Sequence, residues 1–113
     1  MKVLTFRKDL IKLILEGKKT VTRRRRRYKL KAGDVVAVKR SYFTKDVECY
    51  IRVTRVYFQK LKEMTDDDAR KEGISDLNEF KKLWAEIYGY WDEEEEVEVI
   101  EFEVANMLDE MQQ

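Results

Sequence analysis

Apolar residues along this chain follow two rhythms, one of every second position and one of every third and fourth. Val3 to Phe6 reads as a short strand, and Leu10, Ile11, Ile14 and Leu15 recur at helical spacing between Lys8 and Glu16, with Gly17 ending the helix. A β-prone stretch from Thr20 to Arg24 follows, then a turn at Lys31-Ala32-Gly33-Asp34 and a strand through Val35, Val36, Ala37 and Val38. Val47, Cys49, Ile51 and Val53 alternate with Glu48, Tyr50, Arg52 and Thr54, the period of a half-buried strand. Beyond Arg55 the apolar set passes to Val56 and Phe58, so the parity changes and a bulge is predicted there. Thr65 can cap a short helix that opens on Asp66, Asp67 and Asp68 and closes at Gly73. The next helix starts near Ser75 or Asp76 and carries Leu77, Phe80, Leu83, Trp84, Ile87 and Tyr88 on one stripe, which is expected to be core. In the last strand Ile100, Phe102 and Val104 face in, while Glu101 and Glu103 face out.

These elements lack the regular βαβ alternation of a parallel sheet. The predicted class is α+β, a small barrel of five to six mostly antiparallel strands with two to three peripheral helices. At 113 residues one core is expected, a domain over 1–104 with a tail at 105–113 that has no readable role.

Composition narrows the class. Charged residues make up 42% of the chain, His and Pro are absent, and Gln59, Asn78, Asn106, Gln112 and Gln113 are the only amides, which leans towards a thermophile, although the missing proline points the other way. A lone Cys49 cannot form an internal disulfide, so a reducing, cytoplasmic setting is the expectation. Neither a signal peptide nor a membrane span is read. With no His and one Cys, neither a metal site nor a cofactor is expected.

The net charge of +1 conceals two blocks: Lys18, Lys19, Arg23 to Arg27, Lys29 and Lys31 hold no acid between them, and Asp92 to Glu96 with Glu98 form the opposing acidic run. The acidic run reads as solvated surface. Five consecutive arginines, whose mutual repulsion an anionic partner relieves, point to a nucleic-acid phosphate backbone.

The stretch Gly17-Lys18-Lys19-Thr20-Val21-Thr22-Arg23-Arg24 is not a P-loop, because the glycine-rich loop is missing and a helix precedes the motif instead of following it. With a period of two, Thr20, Thr22 and Arg24 share a face and Val21 takes the other. Such a polar face meets either solvent or a pocket wall, and strand chemistry alone favours solvent. Glu72 beside Gly73 would stand at a helix C-terminus, where the dipole disfavours an acid, a weak sign of function.

Gly17-x-Lys19-Thr20-x-Thr22-x-Arg24, followed by Gly33-Asp34-Val35-Val36, resembles the signature of the ASCH family in the PUA-like superfamily, a resemblance that runs to about Val104. It implies a PUA-like barrel. The order of elements is most similar to small stand-alone members related to bacterial 4-N-acetylcytidine amidohydrolase. The resemblance to those enzymes implies Lys19, Thr22 and Glu72 as a catalytic set, with Thr20 and Arg24 beside it. A threonine hydroxyl needs a base to become a nucleophile, and a desolvated lysine near other cations can serve.

Three readings follow. One is a module that binds RNA or a modified nucleoside in a pocket, with Arg23, Arg24, Arg25, Arg26 and Arg27 on its basic rim and Tyr28, Tyr42 or Phe43 able to stack on a base. A second is an amidohydrolase acting on 4-N-acetylcytidine at the same site. The third is a non-enzymatic interaction module, whose acidic and basic blocks pair chains into an oligomer.

Overall fold

The computed structural model of the chain describes residues 1–105, so nearly all of the expected tail lies outside the described residues. Five strands, β1 (Lys2–Thr5), β2 (Val21–Arg24), β3 (Val35–Lys39), β4 (Cys49–Lys60) and β5 (Glu96–Ala105), form one sheet in the order β1-β3-β4-β5-β2. Only β1 with β3 is parallel; the other three pairs are antiparallel. Three helices, α1 (Lys8–Leu15), α2 (Asp66–Lys71) and α3 (Leu77–Tyr88), complete an α+β architecture.

The helices begin where their capping chemistry allows. Thr65 accepts from the Asp68 N–H while the Asp68 carboxylate accepts from the Thr65 N–H, a reciprocal box that satisfies two donors at the start of α2. Asp76 caps α3 by accepting from the Glu79 N–H. Glu16 is the cap residue at the end of α1, and Gly17 after it takes the left-handed turn at φ +74°.

Alternation along the strands divides the core between two faces of the sheet. Leu4, Ile11, Ile14, Val36, Val38, Ile51, Val53, Ile100 and Phe102 pack together under α1. Val21, Leu61, Ala69, Phe80, Trp84, Val97 and Val99 pack under α2 and α3. Full burial of each larger apolar side chain contributes about 1.5–3 kcal/mol, so the two clusters together hold the sheet between its helices.

The bulge lies where the parity change predicts it. The β4–β5 register steps from Val53↔Phe102 to Arg55↔Glu101, so Thr54 is the extra residue. Val56 thereby packs on the α1 side with Ile51 and Val53, and Tyr57 turns to the α2–α3 side. Phe58 departs from the expectation: it is exposed, with the Arg27 guanidinium 4.4 Å above its ring. Val104 is exposed as well, because it lies near the end of β5.

The acidic run is the main correction to the sequence reading. Asp92, Glu93, Glu94 and Glu96 are exposed, as a solvated surface requires, but the run is not separate, since β5 begins inside it at Glu96 and β2 lies antiparallel alongside, with Arg24 opposite Glu98. Arg25 approaches Glu95 at 3.0 Å and Arg27 approaches Glu96 at 3.3 Å. Glu98 is buried, and one of its carboxylate oxygens accepts from the Tyr28 N–H. The two blocks therefore pair within one chain.

Candidate functional site

Lys19 is held between the ends of two helices. Its backbone N–H donates to the Leu13 carbonyl at the end of α1, and the Thr20 N–H donates to the Lys71 carbonyl at the end of α2. These donors take up helix-terminal carbonyls that have no partner within their helices. Gly73, at φ +85°, allows the contact, since a Cβ there would stand 2.8 Å from Leu13 Cδ1 and 3.4 Å from Lys19 Cβ.

The Lys19 ammonium then meets the C-terminus of α2 directly. Nζ donates to Glu72 Oε1 at 2.7 Å and to the Glu72 carbonyl at 3.1 Å. Here the negative end of the helix dipole favours a cation. Glu72 Oε2 accepts from Arg23 Nη1 at 2.9 Å, so one carboxylate bridges two cations. All three side chains are at most 5% exposed.

Thr22 is buried on the neighbouring face of β2 and accepts from Arg24 Nε at 3.0 Å. That bond uses a lone pair of the hydroxyl and leaves its proton to donate elsewhere. Arg24 also donates to the Thr5 carbonyl at 2.9 Å and lies 4.6 Å over the Phe6 ring, tying β2 to β1, the two ends of the strand order.

Lys19, Thr22, Arg23, Arg24 and Glu72 all line one cavity of about 430 Å³, within the range of small-ligand pockets. Its far wall is the α3 stripe: Phe80, Leu83, Trp84, Ile87 and Tyr88 face it. The stripe expected to be core is thus core and pocket wall together, with Phe80 and Trp84 buried and Ile87 half exposed. The Trp84 indole nitrogen is buried without a hydrogen-bond partner among the described residues.

Burial pushes Lys19 below the ordinary lysine pKa. Contact with Glu72 opposes the shift, and the charges of Arg24 and Arg23 add to it. The Tyr88 hydroxyl is pushed upward by burial and stays neutral near pH 7.

Not every residue singled out from the motif joins this site. Thr20 is exposed and lines a second depression with Leu15, Glu16 and Val104. Arg23 is not on a rim: its guanidinium, 1% exposed, is fixed by Glu72, by Gln59 Oε1 at 3.0 Å and by Asp68 at 3.7 Å. Arg25, Arg26 and Arg27 are exposed, as a rim requires, but Arg25 lies over Tyr88 and Tyr90 and Arg26 over Tyr28. Of the aromatics suggested for stacking, Tyr28 packs against the α1-side core, and Phe43 is almost fully exposed.

Sequence reasoning missed Gln59, Asp68, Arg7 and Arg40, the first two on Arg23 and the last two on the cavity wall. Asp68 read only as one of three acids in the first turn of α2, and it also completes the cap. Arg7 and Arg40 pair with Asp9 and Glu48 and carried no signal of their own.

A family model described as "ASCH domain" matches residues 2–106. No curated protein matches the chain. Among solved structures, hypothetical protein PH0355 superposes with a TM-score of 0.70 at 22% identity, covering 93% of this chain and 100% of that one. An ASCH protein from Zymomonas mobilis gives 0.67 at 16% identity, covering 92% and 66% of the respective chains. Protein EF3133 from Enterococcus faecalis V583 gives 0.69 at 20%, covering 92% and 79%. At these identities the likeness is one of fold. Among the described residues no helix is long and apolar enough to cross a membrane.

Proposed function

The chain belongs to the ASCH domain family, and from that premise we propose that it hydrolyses the exocyclic amide of an N-acylated nucleoside, 4-N-acetylcytidine being the substrate to test. The observation that carries the proposal is the buried Lys19–Glu72–Arg23 network, which lines one cavity together with Thr22. Taking three charges out of water costs several kcal/mol per ion, and a small fold has cheaper ways to fill a core. Perturbed, buried titratable groups in a cleft are what acid–base and nucleophilic chemistry require.

In this reading the base lies against Phe6, Phe80 and Trp84. Neutral Lys19 takes the Thr22 proton as Oγ1 attacks the acyl carbon. Negative charge develops on the acyl oxygen, and Arg24, which stands beside Oγ1, counters it there. The C–N bond breaks, the proton passes to the departing amine, and water then cleaves the threonine ester to release acetate, with Glu72 or Lys19 as base. The products are acetate and cytidine. The test is chromatography of 4-N-acetylcytidine incubated with the protein: cytidine should appear with the wild type and not with Thr22→Ala. Unchanged substrate with folded wild-type protein would overturn the reading.

Binding of RNA at the exposed run 25–27 is the second reading, favoured by the lack of a carboxylate partner for Arg26 among the described residues. The pairing of Arg25 and Arg27 with Glu95 and Glu96 weighs against it. In this reading the partner is RNA or a modified nucleoside within it.

A further inference from the structure

Position 23 should by every local rule be apolar. It lies on the face of β2 that carries Val21, opposite Val99 of β5, and both valines belong to the cluster under α2 and α3. It also falls on one of the variable positions of the motif Gly17-x-Lys19-Thr20-x-Thr22-x-Arg24. A leucine there would extend the core, whereas an arginine has to be stripped of water and given partners. It has three: Glu72 Oε2, Gln59 Oε1 and, at longer range, Asp68 Oδ1.

We propose that Arg23 is a positioning residue: by holding Glu72 Oε2 it claims the charge of that carboxylate and leaves Lys19 as the buried cation that gives up its proton, and hence as the base for Thr22. The proposal rests on the hydrolytic reading of the site. Its logic is one of charge. Lys19 and Arg23 share a single buried carboxylate, and Arg24 adds a third cation close by. A guanidinium does not deprotonate in proteins, so Lys19 is the cation that can be discharged. Its release leaves Arg23 and Glu72 as a closed pair, with no carboxylate abandoned in the interior.

The other groups around Lys19 do not reverse this balance. Asp68 on α2 is 3.7 Å from Arg23 and partly solvated, with its other oxygen engaged by the Thr65 N–H. Gln59 on β4 is neutral, and the Phe6 ring, 5.9 Å from Nζ, favours the ammonium only weakly. On α3 Tyr88 is neutral. Arg7 and Arg40 at the cavity wall are paired with Asp9 and Glu48, so each brings its own counter-charge. The downward direction of the Lys19 shift agrees with the geometry.

The test follows the Lys19 ¹³Cε resonance against pH in protein made with labelled lysine, the signal being identified by its loss in Lys19→Met. Arg23→Gln removes the charge but keeps an amide donor, and should raise the Lys19 midpoint by about one pH unit or more. The acidic limb of kcat/KM on 4-N-acetylcytidine should move up with it, giving about a tenfold loss of turnover at a pH below both midpoints. Asp68→Asn retains the helix cap, removes a carboxylate from Arg23 and should move the midpoint downward. A midpoint in Arg23→Gln that is unchanged or lower overturns the proposal. Should that variant fail to fold, absence of the downward shift in Asp68→Asn does the same. If the wild type turns nothing over, the hydrolytic reading falls, and the titration alone still decides whether Arg23 governs the charge of Lys19.

Discussion

Replacing Glu72 by Gln is the sharpest perturbation available, because it removes one negative charge and almost no volume. In the wild type that carboxylate is within 2.7 Å of Lys19 Nζ and 2.9 Å of Arg23 Nη1, with both side chains cut off from water. Breaking a buried ion pair from one side costs about 3–5 kcal/mol. A ceiling exists, since Lys19 can escape by losing its proton: discharging a lysine of ordinary pKa at pH 7 costs about 5 kcal/mol. The expected loss is therefore about 3–5 kcal/mol at pH 7, or a fall in Tm of about 10–20 °C for a domain of this size. Its pH dependence is diagnostic. In the variant the folded Lys19 pKa drops further below its unfolded value, so between the two the unfolded chain binds more protons and stability rises with pH, by up to about 1.4 kcal/mol per unit. Urea titrations of both proteins at pH 7 and pH 9.5 should show the gap narrowing at the higher pH. A variant within 1 kcal/mol of wild type at pH 7, or a gap that widens as pH rises, would refute the account of a buried network that depends on the Glu72 charge.

Lys19→Met should lower the rate of 4-N-acetylcytidine hydrolysis by about 10²–10⁴-fold, the usual weight of a positioned base, with circular dichroism unchanged at the assay temperature. Gly73→Ala forces a side chain into the left-handed region and against Leu13 and Lys19; it should cost about 1–2 kcal/mol from the backbone alone, measured by thermal melts, and reduce turnover as well. If RNA binds the run 25–27, its salt slope should fall well short of the value for five free arginines. Phosphates that displace Glu95 and Glu96 neutralise charge already balanced, and a slope matching all five would sink the intrachain pairing as an explanation.

What could be read in the sequence was whatever depends on near neighbours. The α1 and α3 stripes, the Thr65 and Asp76 caps and the parity change after Val53 are local patterns, and each recurs in the fold. The acidic run was misjudged in part because nothing local announces that Glu96 and Glu98 will enter a strand, Glu98 opposite Arg24 of β2 and Glu96 opposite Lys60 of β4. The meeting of Lys19 with Glu72, 53 residues apart, came from resemblance alone; no periodicity encodes it. Arg23 looked like one more member of a basic rim, because burial of an arginine is settled by a glutamate, a glutamine and an aspartate from other elements.

A strand read in steps of two has a reading frame, much as a message read in steps of three has one, and Thr54 is where this protein changes frame. Were Thr54 paired in regular alternation, with no bulge, Gln59 would keep the parity of Ile51 and Val53 and project to the α1 side, away from Arg23. Deleting exposed Thr54 would remove the bulge and leave that frame intact, because regular pairing from Val53 then still brings Gln59 opposite Val97. One residue inserted between Arg55 and Gln59 would instead act like a frameshift, turning Gln59 to the α1 side and unfastening a guanidinium on another strand, so this strand should tolerate the loss of Thr54 far better than such a gain.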